Sequence, residues 1–119
     1  YLAGSVSSCS MNAPSGVIGM ETAASVIWTY VVQRGFLTPV QMAARMSLAP
    51  AAAFKLEGGT LKPGARADVA VFNPDLSWTP KPEEFRSRGR NCPFKGRLLH
   101  GRVVCTVVAG EVKYRDALH

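Results

Sequence analysis

Leu61-Lys62-Pro63-Gly64-Ala65-Arg66-Ala67-Asp68-Val69-Ala70-Val71-Phe72-Asn73-Pro74 (LKPGARADVAVFNP) is where this chain changes character. Lys62-Pro63-Gly64 is turn chemistry. Asp68 to Phe72 is a short apolar run of β-forming residues, and Asn73-Pro74-Asp75 punctuates it. Asp68 is placed to fix a turn with Arg66 or nearby backbone groups. The residues before this stretch read as loop and helix; those after it read as strand and turn.

On the amino-terminal side, residues 1–16 are rich in Ser and Gly, show no sustained periodicity and read as loop. Met20, Ala23, Ala24, Ile27 and Val31 then recur at helical spacing. They predict a helix from near Ile18 or Gly19 that buries this stripe. Trp28 and Val32 carry apolar character to a second side, so the helix expects cover on more than one face. Gly35 serves as its C-cap. Thr38-Pro39 opens the next helix, with Thr as N-cap and Pro at the first helical position. That helix is expected to run to about Ser47 and to bury Val40, Ala43 and Met46 or their neighbours. Pro50 predicts a break at Leu48-Ala49 and a separate short turn through Phe54, because its ring opposes continued helix before it.

On the carboxy-terminal side, Gly58-Gly59 is a turn and Ser77-Trp78-Thr79 reads as a further strand. Pro82-Glu83-Glu84-Phe85 reads as a brief helix start with acidic residues near its positive end. Arg102 to Val108 and Glu111 to Tyr114 flank Ala109-Gly110, a two-residue hairpin signal. Helices first and strands afterwards make this an α/β chain with two structural environments.

A chain of 119 residues with 47% apolar content fits one globular domain or a piece of a larger one. It has no apolar run near the ~20 residues a bilayer span needs, which argues against a membrane protein. The start, Tyr1-Leu2-Ala3-Gly4-Ser5, has neither a basic n-region nor an initiator Met, and reads as a fragment or an internal start rather than a signal peptide. The net charge of +6 invites nucleic acid as a partner. Its distribution argues against that, because Gly89, Pro93 and Gly96 interrupt the run of Arg86, Arg88, Arg90, Lys95, Arg97 and Arg102. No aromatic ladder accompanies the charge. Cys9, Cys92 and Cys105 form no CxxC pair, and an odd count favours reduced thiols and a cytoplasmic setting. Cys92, His100 and Cys105 match no common zinc spacing, and Cys105 in an apolar run reads as a small buried hydrophobe.

Four segments carry a resemblance: Asn12 to Thr22 (NAPSGVIGMET), Leu61 to Pro74, Ser87 to Gly96 (SRGRNCPFKG) and Gly101 to Tyr114 (GRVVCTVVAGEVKY). With Ala49-Pro50-Ala51 they resemble the carboxy-terminal end of dihydroorotase, in the cyclic amidohydrolase group, over about residues 12–116. The PGARADVAV portion is common to many amidohydrolases. APSGVIGMET together with NCPFKGR is more particular to dihydroorotase than to hydantoinases or allantoinases.

The resemblance implies the carboxy-terminal portion of a (β/α)₈ barrel followed by a small β-rich subdomain. Residues 1–11 would be an unmatched leader, 12–56 the last loop and helices of the barrel, and 57–119 the carboxy-terminal share of the β subdomain. The implied activity is reversible cyclisation of N-carbamoyl-L-aspartate to dihydroorotate in pyrimidine biosynthesis, with zinc as the full-length family's cofactor. An implied alternative is a non-catalytic scaffold for aspartate transcarbamoylase. The family's metal ligands belong to motifs this sequence does not match: only His100 and His119 are histidines, and the Asp-His-Ala-Pro-His motif is absent. No residue is therefore assigned as metal ligand or catalytic group, and the chain alone is expected to be inactive.

One family role carries over. The Pro-x-Gly loop that contacts substrate through backbone groups maps onto Ser15 and Gly16, where glycine permits close approach of main chain to a planar polar ring. Glu21, in a first helical turn, reads as a dipole partner rather than a catalyst, and His100 as a surface or turn residue. Asn91 to Phe94 reads as a loop that packs against the barrel. With the rest of a barrel missing, Ile27, Trp28, Val31 and Phe36 should favour self-association.

Overall fold

The computed structural model describes residues 16–116. Ser15, like residues 1–11 and His119, lies outside them. The first helix, α1 (Ala23–Ile27), follows a turn that begins at Gly19 and widens into a π-wound stretch, Trp28–Val32. Gly35, at φ +79°, ends it as expected, with the Phe36 N–H reaching back to the Val31 carbonyl at 3.0 Å. Thr38 then caps α2 (Pro39–Ala43) through a capping box: the Gln41 N–H donates to Thr38 Oγ1 at 3.2 Å, and the Thr38 N–H donates to Gln41 Oε1 at 2.9 Å.

Two expectations fail in the helices. There is no break at Leu48-Ala49: α2 passes through a π-wound stretch, Ala44–Leu48, directly into α3 (Ala49–Ala53). The wider winding shifts the Ala49 N–H onto the Ala44 carbonyl and relieves the conflict a proline ring has with an α-wound turn. The buried faces also differ. Met20 is 92% exposed, while Thr22 and Ser25 are almost fully buried. In α2 the buried residue is Met42, and Val40 is 78% exposed.

Lys55, at φ +53°, ends α3 in the left-handed region, and the chain doubles back so closely that a Cβ on Gly59 would lie 2.8 Å from Leu48 Cα. β1 (Val69–Trp78), β2 (Leu99–Val108) and β3 (Glu111–Arg115) form one antiparallel sheet in the order β1-β2-β3. Asn73-Pro74-Asp75 does not end β1. It forms an irregularity, with the Asp75 N–H bonded to Asn73 Oδ1, after which Ser77 and Trp78 resume pairing with His100 and Leu99.

The β2–β3 hairpin turns at Ala109-Gly110, both with positive φ as a type I′ turn requires. Asp68 secures it from just before β1: one carboxylate oxygen accepts the Ala109 N–H at 2.8 Å while the other pairs with Arg66 at 3.0 Å.

The helix and sheet meet at Trp78. Its indole N–H donates to Ser25 Oγ at 3.0 Å and to the Gly101 carbonyl at 3.1 Å, which explains why α1 turns a polar seam inward. Thr29 extends the seam, accepting the His100 N–H at 2.8 Å. Beside it Trp28 packs on Phe72, ring centroids 5.5 Å apart, and Leu99 is fully buried. A Cβ on Gly101 in β2 would lie 2.1 Å from the ring of Phe72 in β1, so the Phe72 ring can lie over β2, where it meets Trp28, only because that position is a glycine.

Candidate functional site

Two segments far apart in sequence close on each other just before α1. The Ile18 N–H donates to the Asn91 carbonyl at 3.0 Å, and the Asn91 side-chain amide donates to the Gly16 carbonyl. Gly89 sits so close that a Cβ on it would lie 2.5 Å from Ile18 Cγ2. One turn later the Glu21 carboxylate accepts the Arg86 N–H at 3.3 Å, the Ser87 N–H at 3.0 Å and the Ser87 hydroxyl at 3.0 Å. Arg90 folds its guanidinium back onto the Ser87 and Gly89 carbonyls. Residues 16–21 and 86–91 thus form one hydrogen-bonded seam.

The NCPF element anchors the seam from below. Cys92 is buried, and Phe94 meets the Tyr30 ring at 6.2 Å, with Arg34 over that same ring at 5.4 Å. Lys95 stands 3.7 Å from Glu83 on the single 3₁₀ turn Pro82–Glu84. The Glu83 carboxyl is held below the ordinary carboxylate range, first by a backbone hydrogen bond and then, against slight desolvation, by Lys95 and Lys81. A cleft of about 960 Å³ opens from the seam between α1, the end of β1 and β2, lined among others by Glu21, Ser25, Trp78, Arg86, Arg102 and Tyr114. Arg102 lies over the Trp78 ring at 5.2 Å and pairs with the nearly buried Asp116 at 3.4 Å.

Of the two residues assigned to substrate contact, Ser15 lies outside the described residues. Gly16 adopts φ +79°, and among the described residues nothing lies within 4 Å of a Cβ built there. The loop is therefore open on that side, where a ligand could approach the main chain. Glu21 does not cap its own helix. It organises the 86–87 backbone, a role that reading the helix alone missed, although both partners fall in segments singled out from sequence. The NCPF loop packs on Tyr30 and bonds to residues 16–18 through Asn91.

His100 lies within β2 rather than in a turn, its Nδ1 2.9 Å from Ser77 Oγ. The two are paired directly across β1 and β2, which accounts for the contact without a nucleophile–base role. Among the described residues no three His, Cys, Asp or Glu side chains converge as metal ligands, and Cys105 pairs across the sheet with Val71. These residues do not fit the zinc centre that the resemblance implies for the full-length family. What the arrangement offers is positioned backbone polar groups, an open glycine and nearby cations.

Comparison with known proteins places this geometry. The chain is 47% identical over 104 residues to the dihydroorotase of Pelotomaculum thermopropionicum and 43% identical to that of Clostridium acetobutylicum, covering 87% of this chain and 24% of each relative. It therefore spans about a quarter of the length of the curated relatives it matches. Among solved structures it superposes on the L-hydantoinase of Arthrobacter aurescens with a TM-score of 0.79 and 30% identity, over 87% of this chain and 23% of that one. The D-hydantoinase of a Thermus species gives the same TM-score at 28% identity and the same coverage. A profile described as "Amidohydrolase family" matches residues 20–114, which contain Glu21 and all of the 86–97 loop: the chain belongs to the amidohydrolase family.

Proposed function

We propose that this chain is the carboxy-terminal portion of a cytoplasmic dihydroorotase, the cyclic amidohydrolase that interconverts dihydroorotate and N-carbamoyl-L-aspartate in pyrimidine biosynthesis. The observation that carries the reading is the seam. The two segments most particular to dihydroorotase, APSGVIGMET and NCPFKGR, meet through Gly16, Ile18 and Asn91. On this reading Ser15 and Gly16 contact substrate through main-chain groups, and Gly16's open side supports the assignment. Residues 12–56 are the last loop and helices of a (β/α)₈ barrel, and 57–119 are a share of its β subdomain.

Exposed Phe36, Val40, Leu48 and Phe54, together with the buried Trp28 indole N–H that has no partner among the described residues, support helices that pack against further chain. Any metal is held by residues beyond those described, and the isolated chain is inactive and self-associates. The basic 86–97 loop serves this fold rather than nucleic acid: Arg90 and Lys95 are already engaged locally.

A chimaera tests the reading. The 104-residue matched stretch replaces its counterpart in the Pelotomaculum enzyme, and turnover of dihydroorotate and hydantoin is measured. Preference for dihydroorotate is expected. A folded chimaera that prefers hydantoin would instead support a hydantoinase, the reading favoured by the solved neighbours. The 119-residue chain alone, given zinc and dihydroorotate, should show no turnover above a metal-only blank.

A further inference from the structure

We infer that Asn91 is a positioning residue: by holding the Gly16 carbonyl it fixes the plane of the Gly16–Val17 peptide and so aims the Val17 N–H at an oxygen of the bound substrate. The inference rests on the dihydroorotase reading and names a group that acts in it.

Three observations converge. First, Asn91 grips residues 16–18 twice, its side-chain amide on the Gly16 carbonyl and its own carbonyl on the Ile18 N–H. Second, the peptides here are trans, so a carbonyl drawn toward Asn91 turns the N–H of the same planar unit the opposite way. That N–H belongs to Val17, which is 64% exposed and has no hydrogen-bond partner among the described residues. Third, the left-handed φ of Gly16 lets the peptide take this orientation, and none of the described residues fills the space beside its Cα, which leaves room for a planar ring.

A backbone donor held in advance suits a ring carbonyl or a carboxylate, since its orientation is already fixed when ligand arrives. The 86–91 loop adds rigidity. Glu21 fixes residues 86 and 87, Arg90 ties residues 87 and 89, and Gly89 abuts Ile18, so Asn91 itself has little freedom. Asn suits the position because its short amide can donate to the Gly16 carbonyl, which an ionised Asp of the same shape cannot do.

The test has two arms. In the wild-type chain, the Asn91 side-chain nitrogen and the Gly16 carbonyl carbon should show a through-hydrogen-bond scalar coupling by NMR. Asn91→Ala should abolish it and shift the Val17 amide while leaving the β2 amides in place. In the chimaera, Asn91→Ala should raise KM for dihydroorotate about ten-fold with kcat within about two-fold of wild type, the pattern of lost binding common to ground and transition states. Asn91→Gln, which keeps a donor on a longer arm, should recover part of the KM. Thr38→Ala, a remote cap substitution, should leave KM unchanged and so separates positioning from general destabilisation.

An active wild-type chimaera whose KM is indifferent to Asn91→Ala overturns this inference alone. Absence of the coupling in wild-type chain, with the Val17 amide unmoved by Asn91→Ala, also overturns it. A folded wild-type chimaera without dihydroorotate turnover overturns the functional reading and this inference together.

Discussion

The two halves of the helical region are held in different ways. α1 is locked to the sheet by directional contacts: Trp78 on Ser25 and Gly101, Thr29 on the His100 backbone, and Trp28 against Phe72. The stretch from α2 to α3 buries only Met42 among its large apolar residues, and Val40, Leu48 and Phe54 stand exposed at 78%, 54% and 75%. The first helix docks on the sheet, leaving the Trp28 indole N–H as its buried group without a partner among the described residues, whereas the second presents its apolar surface outward. A helix can be regular, well capped and still poorly docked, because caps act on its ends while docking acts on its face.

This contrast can be broken at its strongest point first. Gly101→Ala places a Cβ into the Phe72 ring and an L-residue at φ +77°, so it should cost about 3 kcal/mol or more. The sheet's denaturant midpoint should fall, with Trp fluorescence reporting loss of the α1 contact. An unchanged midpoint would mean that the Trp28–Phe72 junction does not hold α1.

Trp78→Phe keeps most of the ring but removes the donor shared by Ser25 and Gly101. It should cost about 1–3 kcal/mol in the same midpoint, since two buried acceptors lose their partner. Thr38→Ala should cost about 1 kcal/mol, and only locally. Faster amide exchange over residues 39–53, with β2 exchange unaltered, is the expected signature. Equal acceleration in both regions would show that the two are coupled and the contrast false.

What sequence revealed follows the same division. Most signals that depend on a few adjacent residues read correctly: the Thr38-Pro39 cap, the Gly35 stop, the Ala109-Gly110 turn and the pairing of Asp68 with Arg66. Signals that depend on a distant partner did not. An apolar stripe placed Met20 inward, yet the helix buries Thr22 and Ser25, because an indole 53 residues from Ser25 needs an acceptor. Glu21 looked like a dipole partner because its true partners, Arg86 and Ser87, lie 65 and 66 residues away. Pro50 predicted a break because local rules assume α winding, and β1 continues past Asn73-Pro74-Asp75 because the bulge absorbs the proline. The segments forming the candidate site were visible; the bonds that join them were not.

The widened winding over Ala44–Leu48 makes the residue count of this helix a form of addressing. Deleting one residue there would let the coil tighten into an ordinary spiral, and because the wide turn carries one residue more than an α turn, the side chains beyond it would keep nearly their present bearing. An added residue would instead turn Phe54 by about 100° from its present bearing and take Gly59 away from Leu48, where only a hydrogen fits. Insertions in residues 44–48 should therefore be far less tolerated than a single deletion there.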